Sequence, residues 1–195
     1  MKQSIFDYET TNPFRSMKKI RINGKLTDLY DKVKGHTGID KLTPTGTAVI
    51  LPFETTVKEL EIFPGMGKVV FLEDDQKNIL VFAHLSEFLL REGTKVQPGD
   101  IVALTGNTGS QTSGPHVHIE IITEKPTKGL EFMTRTLGKY KGYNIDPEEY
   151  FKKKKIKTGL TDTEWCEKHI PEVPWRDFDI GLHTAFRKLA ERILY

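Results

Sequence analysis

Between residues 47 and 123 the chain is a series of short apolar runs cut by turn residues, and this rhythm leaves room for little besides antiparallel β-structure. The runs 48–51, 68–72, 79–85, 101–104 and 117–122 are the expected strands. The breaks carry the residues that turns need: Pro64-Gly65-Met66-Gly67, Asp74-Asp75, Pro98-Gly99-Asp100 and the stretch 106–115. No helix of ordinary length is expected between 35 and 122. The fold class is therefore mostly β (α+β), with its helical part elsewhere.

That part is expected at the C-terminus. Thr161-Asp162-Thr163-Glu164 has the form of a capping box, and Leu182, Phe186, Leu189 and Ile193 recur at helical spacing. Lys152 to Lys155 form a run before it, expected as a solvated linker. Trp165 and Trp175 are expected to pack against the parent domain.

Composition narrows the chemistry. The 29 basic and 27 acidic residues leave a formal charge of +2, which gives no electrostatic case for a nucleic-acid partner, and none is expected. Cys166 is the only cysteine, so a metal site within one chain must be built from His and carboxylates. Residues 1–21 lack the apolar core of a secretory signal, and no stretch approaches the roughly 20 apolar residues of a membrane span.

Four of the six histidines fall in three short contexts: His36-Thr37-Gly38-Ile39-Asp40, Ala83-His84-Leu85-Ser86 and His116-Val117-His118-Ile119-Glu120. In the last, Val117, Ile119 and Ile121 alternate with His116, His118 and Glu120, so a strand puts both imidazoles on one face. Each context alone is more simply an ordinary hydrogen-bonded histidine; His169 and His183 have no partner at ligand spacing. Together the three contexts supply what a catalytic zinc ion needs: two neutral imidazoles, a carboxylate and a fourth position for water. His36, Asp40 and His118 fill that set around one Zn²⁺. Bound water then has a pKa of about 7 instead of about 15.7. His84 and His116 remain as catalytic residues that take the water's proton or hydrogen-bond the oxyanion, their division of labour left open. A histidine base predicts activity that falls on acidification.

The three contexts, in this order and with Phe82 two residues before His84, resemble the signature blocks of lysostaphin-like (LytM-type) zinc metallopeptidases. The stretch 93–101 resembles that family's G-x-x-V-x-x-G-x-I segment, and 144–151 its closing D-P-x-x-Y segment. The resemblance implies an antiparallel sheet lining an open substrate groove and a zinc endopeptidase acting on peptidoglycan stem peptides or cross-bridges. It also implies His36, Asp40 and His118 as ligands, with His84 and His116 catalytic. The chain then divides into an N-terminal segment (1–30), a metallopeptidase domain (31–151), a basic linker (152–160) and a helical C-terminal extension (161–195). Two departures stand out: 123–143 is longer than the family pattern, and the tail from Lys157 has no counterpart. The Gly-rich loop 106–115 is expected as a mobile wall of the groove. Action outside the cytoplasm without a visible signal would suit a phage lysis enzyme. The alternatives are a non-catalytic scaffold of the same fold that binds wall or activates another hydrolase, and a phosphocarrier whose phosphorylated residue would be His84.

Overall fold

The His-x-His pair sits at the start of an interior strand of the main sheet. The computed structural model describes residues 5–17, 19, 21–22, 25–26, 35–125 and 132–158. The expected helical extension, with Trp165, Cys166, His169, Trp175 and His183, lies outside them. In chain order a 3-10 turn (Ile5–Asp7) precedes β1 (Thr10–Asn12), β2 (Arg21–Ile22), β3 (Lys25–Leu26), β4 (Ile39–Lys41), β5 (Ala48–Ile50), β6 (Thr55–Phe63) and β7 (Gly67–Asp74). Then come β8 (Ile79–Leu85), β9 (Glu87–Phe88), β10 (Lys95–Val96), β11 (Ile101–Leu104), β12 (Val117–Thr123), β13 (Phe132–Leu137), β14 (Tyr140–Ile145) and helix α1 (Pro147–Thr158). The main sheet runs β1-β4-β12-β8-β7-β6-β10, all antiparallel, with the β13–β14 hairpin paired to β12 through β14.

Period-two alternation sends apolar side chains to both faces of this sheet. Val70, Leu72, Leu80, Phe82, Val117, Ile119 and Ile121 join one core cluster, which Tyr150 and Phe151 of α1 cover. Val69, Phe71, Ile79, Val81, Ala83 and Ile122 form a second cluster with Leu137. Burial on both faces is why β7 and β8 carry nearly continuous apolar runs.

Three elements differ from expectation. β6 was not among the expected strands because Lys58, Glu59 and Glu61 interrupt it, yet it pairs with β7 from Thr55 to Phe63. The long 123–143 stretch contains most of a hairpin that turns at Gly138-Lys139, with Gly138 at φ +57°. The lysine run, expected as a linker, instead lies in the middle of α1. That helix starts as helices should: Asp146 accepts the amide of Glu148 (2.9 Å), Pro147 occupies the first turn, and Glu148 and Glu149 follow at the positive end of the dipole.

The N-terminal segment is not set apart from the sheet. β1 pairs with β4, and residues 13–16 run beside His36, with Arg15 N donating to His36 O (2.8 Å) and His36 N to Ser16 O (2.9 Å).

One glycine governs the approach of β4 to β12. A Cβ on Gly38 would sit 2.0 Å from the carbonyl oxygen of Ile119, so the strands close only because none is there. Gly38→Ala is expected to destabilise by at least the 1–3 kcal/mol usual for overpacking, read as a lower urea midpoint.

Candidate metal centre

Two paired strands, β4 and β12, and the segment that enters β4 bring the first cluster together. Asp40 stands opposite His118, and residues directly opposite in an antiparallel pair point to the same face. His36 reaches the same space from the segment entering β4. The distances are 3.0 Å from His36 Nε2 to His118 Nδ1, 3.3 Å from His36 Nε2 to Asp40 Oδ1, and 2.8 Å from His118 Nδ1 to Asp40 Oδ1. Atoms about 2.0–2.1 Å from a tetrahedral zinc ion lie roughly 3.3 Å from one another, so this triangle has nearly the size of a metal's ligand face.

The proton positions agree with that use. His36 Nδ1 donates to the backbone carbonyls of Asn12 (3.1 Å) and Pro13 (3.2 Å), which puts a lone pair on Nε2. His118 Nε2 donates to Glu120 Oε1 (3.0 Å), which puts a lone pair on Nδ1. Two ring lone pairs and a carboxylate oxygen thus converge in a buried space, an arrangement that calls for a cation between them. Electrostatics point the same way. Burial favours neutral His118, but its hydrogen bonds with Asp40 and Glu120 outweigh that and raise its pKa to about 9, so Nδ1 holds a positive charge against Asp40, a proton where no metal competes for its lone pair. Burial would raise Asp40, yet hydrogen bonds with His118 and His36 hold it well below its ordinary value. The donor set fits a divalent metal such as zinc.

His84 and His116 lie beside this triangle, their ring centroids 4.6 Å apart, with His84 6.2 Å from His118. His84 arrives by a backbone device. Strict alternation along β8 would send it to the face of Leu80 and Phe82. Instead Ala83 and His84 together oppose Val69 in a β-bulge, and His84 takes φ +59°. A non-glycine residue in that region is strained, and strain of this kind gathers at working sites. His84 Nδ1 donates to Thr108 O (2.8 Å) and His116 Nδ1 to Gly114 O (2.8 Å), so both rings bear their lone pair on Nε2. Burial lowers both pKa values, that of His84 to about 4 with the neighbouring imidazoles His118 and His116 adding to the effect. Both are neutral near pH 7. His116 Nε2 is 3.9 Å from Asp40 Oδ1.

All five residues singled out in the sequence therefore meet in one cluster. What the sequence reading missed is the layer behind it. Glu120, fully buried, accepts from His118 Nε2 (3.0 Å), Thr37 Oγ1 (2.7 Å) and Asn144 Nδ2 (3.0 Å). Its signal was present, since it lies two residues beyond His118 on the same strand face. Glu120→Gln sets an amide NH₂ among donors, and is expected to weaken zinc binding about 10- to 100-fold in a chelator competition.

The loop 106–115 is tied down where mobility was expected. Ser110 and Gln111 donate backbone amides to Pro64 O and Gly65 O (both 2.9 Å), and Thr108 Oγ1 bridges Leu85 O and Lys68 N. A Cβ on Gly109 would lie 2.3 Å from Gly67 N, so the two turns touch backbone to backbone.

Residues 34–129 match peptidase family M23. An uncharacterized metalloprotease of Haemophilus influenzae is 33% identical over 111 residues, covering 56% of this chain and 22% of its own length. The peptidoglycan DD-endopeptidase ShyA of Vibrio cholerae is 34% identical over 108 residues, covering 55% of this chain and 25% of its own. The chain thus spans about a quarter of the length of these curated relatives. The catalytic domain of the antimicrobial peptidase lysostaphin from Staphylococcus simulans superposes with a TM-score of 0.56 at 20% identity, over 76% of this chain and 95% of that one, and shares the fold. With the sheet, the His-Asp-His triangle and the matched segment in agreement, the chain belongs to peptidase family M23, the lysostaphin-like (LytM-type) metallopeptidases.

Proposed function

We propose that the protein is a zinc metalloendopeptidase that hydrolyses peptide bonds in bacterial peptidoglycan, with His36, Asp40 and His118 as ligands and His84 and His116 as the catalytic pair. The observation that carries this reading is the convergence of His36 Nε2, Asp40 Oδ1 and His118 Nδ1 within 3.3 Å of one another, each imidazole proton on the far side of its ring. When bound, zinc supplies Lewis acidity, lowering the pKa of water to roughly 7 and polarising the scissile carbonyl.

The side chains supply the proton handling. Neutral His84 and His116, each anchored through Nδ1–H to a backbone carbonyl, present Nε2 as the acceptor for the proton of an attacking water. Whichever ring takes that proton becomes an imidazolium, able to donate to the leaving amine. That ring, the one whose Nε2 has gained the proton of the water, is also the one able to donate to the developing oxyanion, while its neighbour keeps an unprotonated Nε2.

The substrate class rests on the names of the relatives, among them a peptidoglycan DD-endopeptidase, and places the site of action outside the cytoplasm. Among the described residues, no helix is long and apolar enough to cross a membrane. The test is digestion of purified sacculi of several wall types. New amino termini should be released, and a chelator should stop the release. Zinc-loaded protein that cleaves no wall type would overturn the reading.

A further inference from the structure

The row of paired residues that builds the metal centre does not stop at Asp40. It continues one strand further, to Asn12 of β1, outside the segment 34–129 that matches the family. Asn12 stands opposite Asp40, Asp40 opposite His118, and His118 opposite Ala83, so four strands contribute one residue each to a single line.

Asn12 reaches that line through a β-bulge. Thr10 pairs with Lys41 and Asn12 with Asp40, so Thr11 is an extra residue with no position of its own in the ladder. Regular pairing would set Thr11 opposite Asp40 and turn the Asn12 side chain to the other face. The bulge brings Asn12 beside Asp40 on the same face. There, buried at 3% exposure, its Nδ2 donates to Asp40 Oδ2 (3.2 Å) while its own carbonyl accepts from His36 Nδ1 (3.1 Å).

We propose that Asn12 is a positioning residue for the metal-binding carboxylate: its amide holds Asp40 Oδ2, so that Asp40 offers Oδ1 alone to the metal. A carboxylate without that restraint can rotate and bind through both oxygens, filling the coordination position that a hydrolytic site keeps open for water. Asn12 thus secures both the geometry of one ligand and the vacancy beside it, and its backbone carbonyl sets the tautomer of a second ligand. The proposal rests on the reading of His36, Asp40 and His118 as ligands.

The test uses the full chain and two metals, zinc for affinity and cobalt(II) for geometry. Asn12→Ala removes the amide but keeps the backbone carbonyl that His36 uses. It is expected to raise the zinc Kd about 10- to 100-fold, the range for outer partners of a metal ligand. It should also change the visible cobalt spectrum towards higher coordination. Asn12→Ser, which returns a hydroxyl donor, should recover part of both. Thr11→Val removes a neighbouring contact on the same strand, from Thr11 Oγ1 to Asp40 O (3.4 Å), and should leave Kd and spectrum within twofold of the parent. A folded Asn12→Ala variant with the parent's Kd and spectrum overturns the proposal. If that variant does not fold, Asn12→Asp, which keeps the shape and loses the donor, carries the same test, and an unchanged Kd and spectrum there overturns it equally. A parent chain that binds no zinc sinks the ligand assignment itself, whereas a parent that binds zinc with unaffected Asn12 variants sinks only the role of Asn12.

Discussion

Replacing His118 with alanine is expected to strip the metal and lower kcat/KM on peptidoglycan by more than about 100-fold, beyond what loss of an outer partner costs. His118 is the hinge of the cluster: Nδ1 lies 3.0 Å from His36 Nε2 and 2.8 Å from Asp40 Oδ1, and Nε2 is held by Glu120. Its removal takes away one lone pair of three and one of the donors that satisfy the buried Glu120 carboxylate, which keeps those of Thr37 and Asn144. Zinc content by mass spectrometry and amino-terminus release from sacculi measure the two effects. Zinc retained at parental occupancy would refute the ligand role.

The second large effect is expected far from the metal, at Asp74. This carboxylate, 4% exposed, accepts the backbone amides of Gln76 and Asn78 (both 2.8 Å) through Oδ1. Through Oδ2 it accepts Asn78 Nδ2 (3.0 Å), Tyr150 Oη (2.6 Å) and Lys154 Nζ (3.0 Å). It therefore joins the β7–β8 turn to α1. Asp74→Ala leaves the ammonium of Lys154, itself 8% exposed, with Asp75 as its remaining acidic partner, and takes away the carboxylate that accepts the Tyr150 hydroxyl. The expected cost is about 3–5 kcal/mol, measured by urea denaturation. Its pH dependence has a definite sign. Burial alone would raise the pKa of Asp74, but the bonds from Tyr150, Asn78 and Lys154 outweigh it and hold the pKa below its ordinary value. A depressed folded-state pKa stabilises fully above the unfolded value, near 3.9, and the contribution disappears as pH falls through the folded value. Below about pH 4 the parent should thus lose stability more steeply than Asp74→Ala. Equal slopes would mean that Asp74 is not the titrating group.

How much of this was legible in the sequence depends on how local the signal is. β8 is buried on both faces and announces itself by apolar content, whereas β12 shows itself by the alternation of Val117, Ile119 and Ile121 with His118 and Glu120. The five site residues were readable because metal chemistry restricts the donor types and because His116 and His118 share a strand. Asn12 was not. Its partner is 28 residues away, and its face is set by a bulge that no local pattern encodes. The same holds for His84, whose place on the site face depends on a backbone inversion rather than on alternation. β6 was hidden by Lys58, Glu59 and Glu61, which an outer, half-covered strand tolerates. The lysine run concealed a helix because its anchors are long-range: Lys154 to Asp74 and Glu148 to Lys41 (3.1 Å). The start signal Asp146-Pro147-Glu148-Glu149 was available and outweighed by the charge that follows it.

Gly109 and Gly67 meet with no side chain between them, and the turns that carry them are stitched by the amides of Ser110 and Gln111. Turns joined this way are shaped once, when the chain folds, and a peptide docking against them would not have to spend binding energy on arranging them. Any ligand at this face would therefore be selected as by a rigid template, by whether its outline fits, and a change of selectivity would require new turn sequences rather than looser ones.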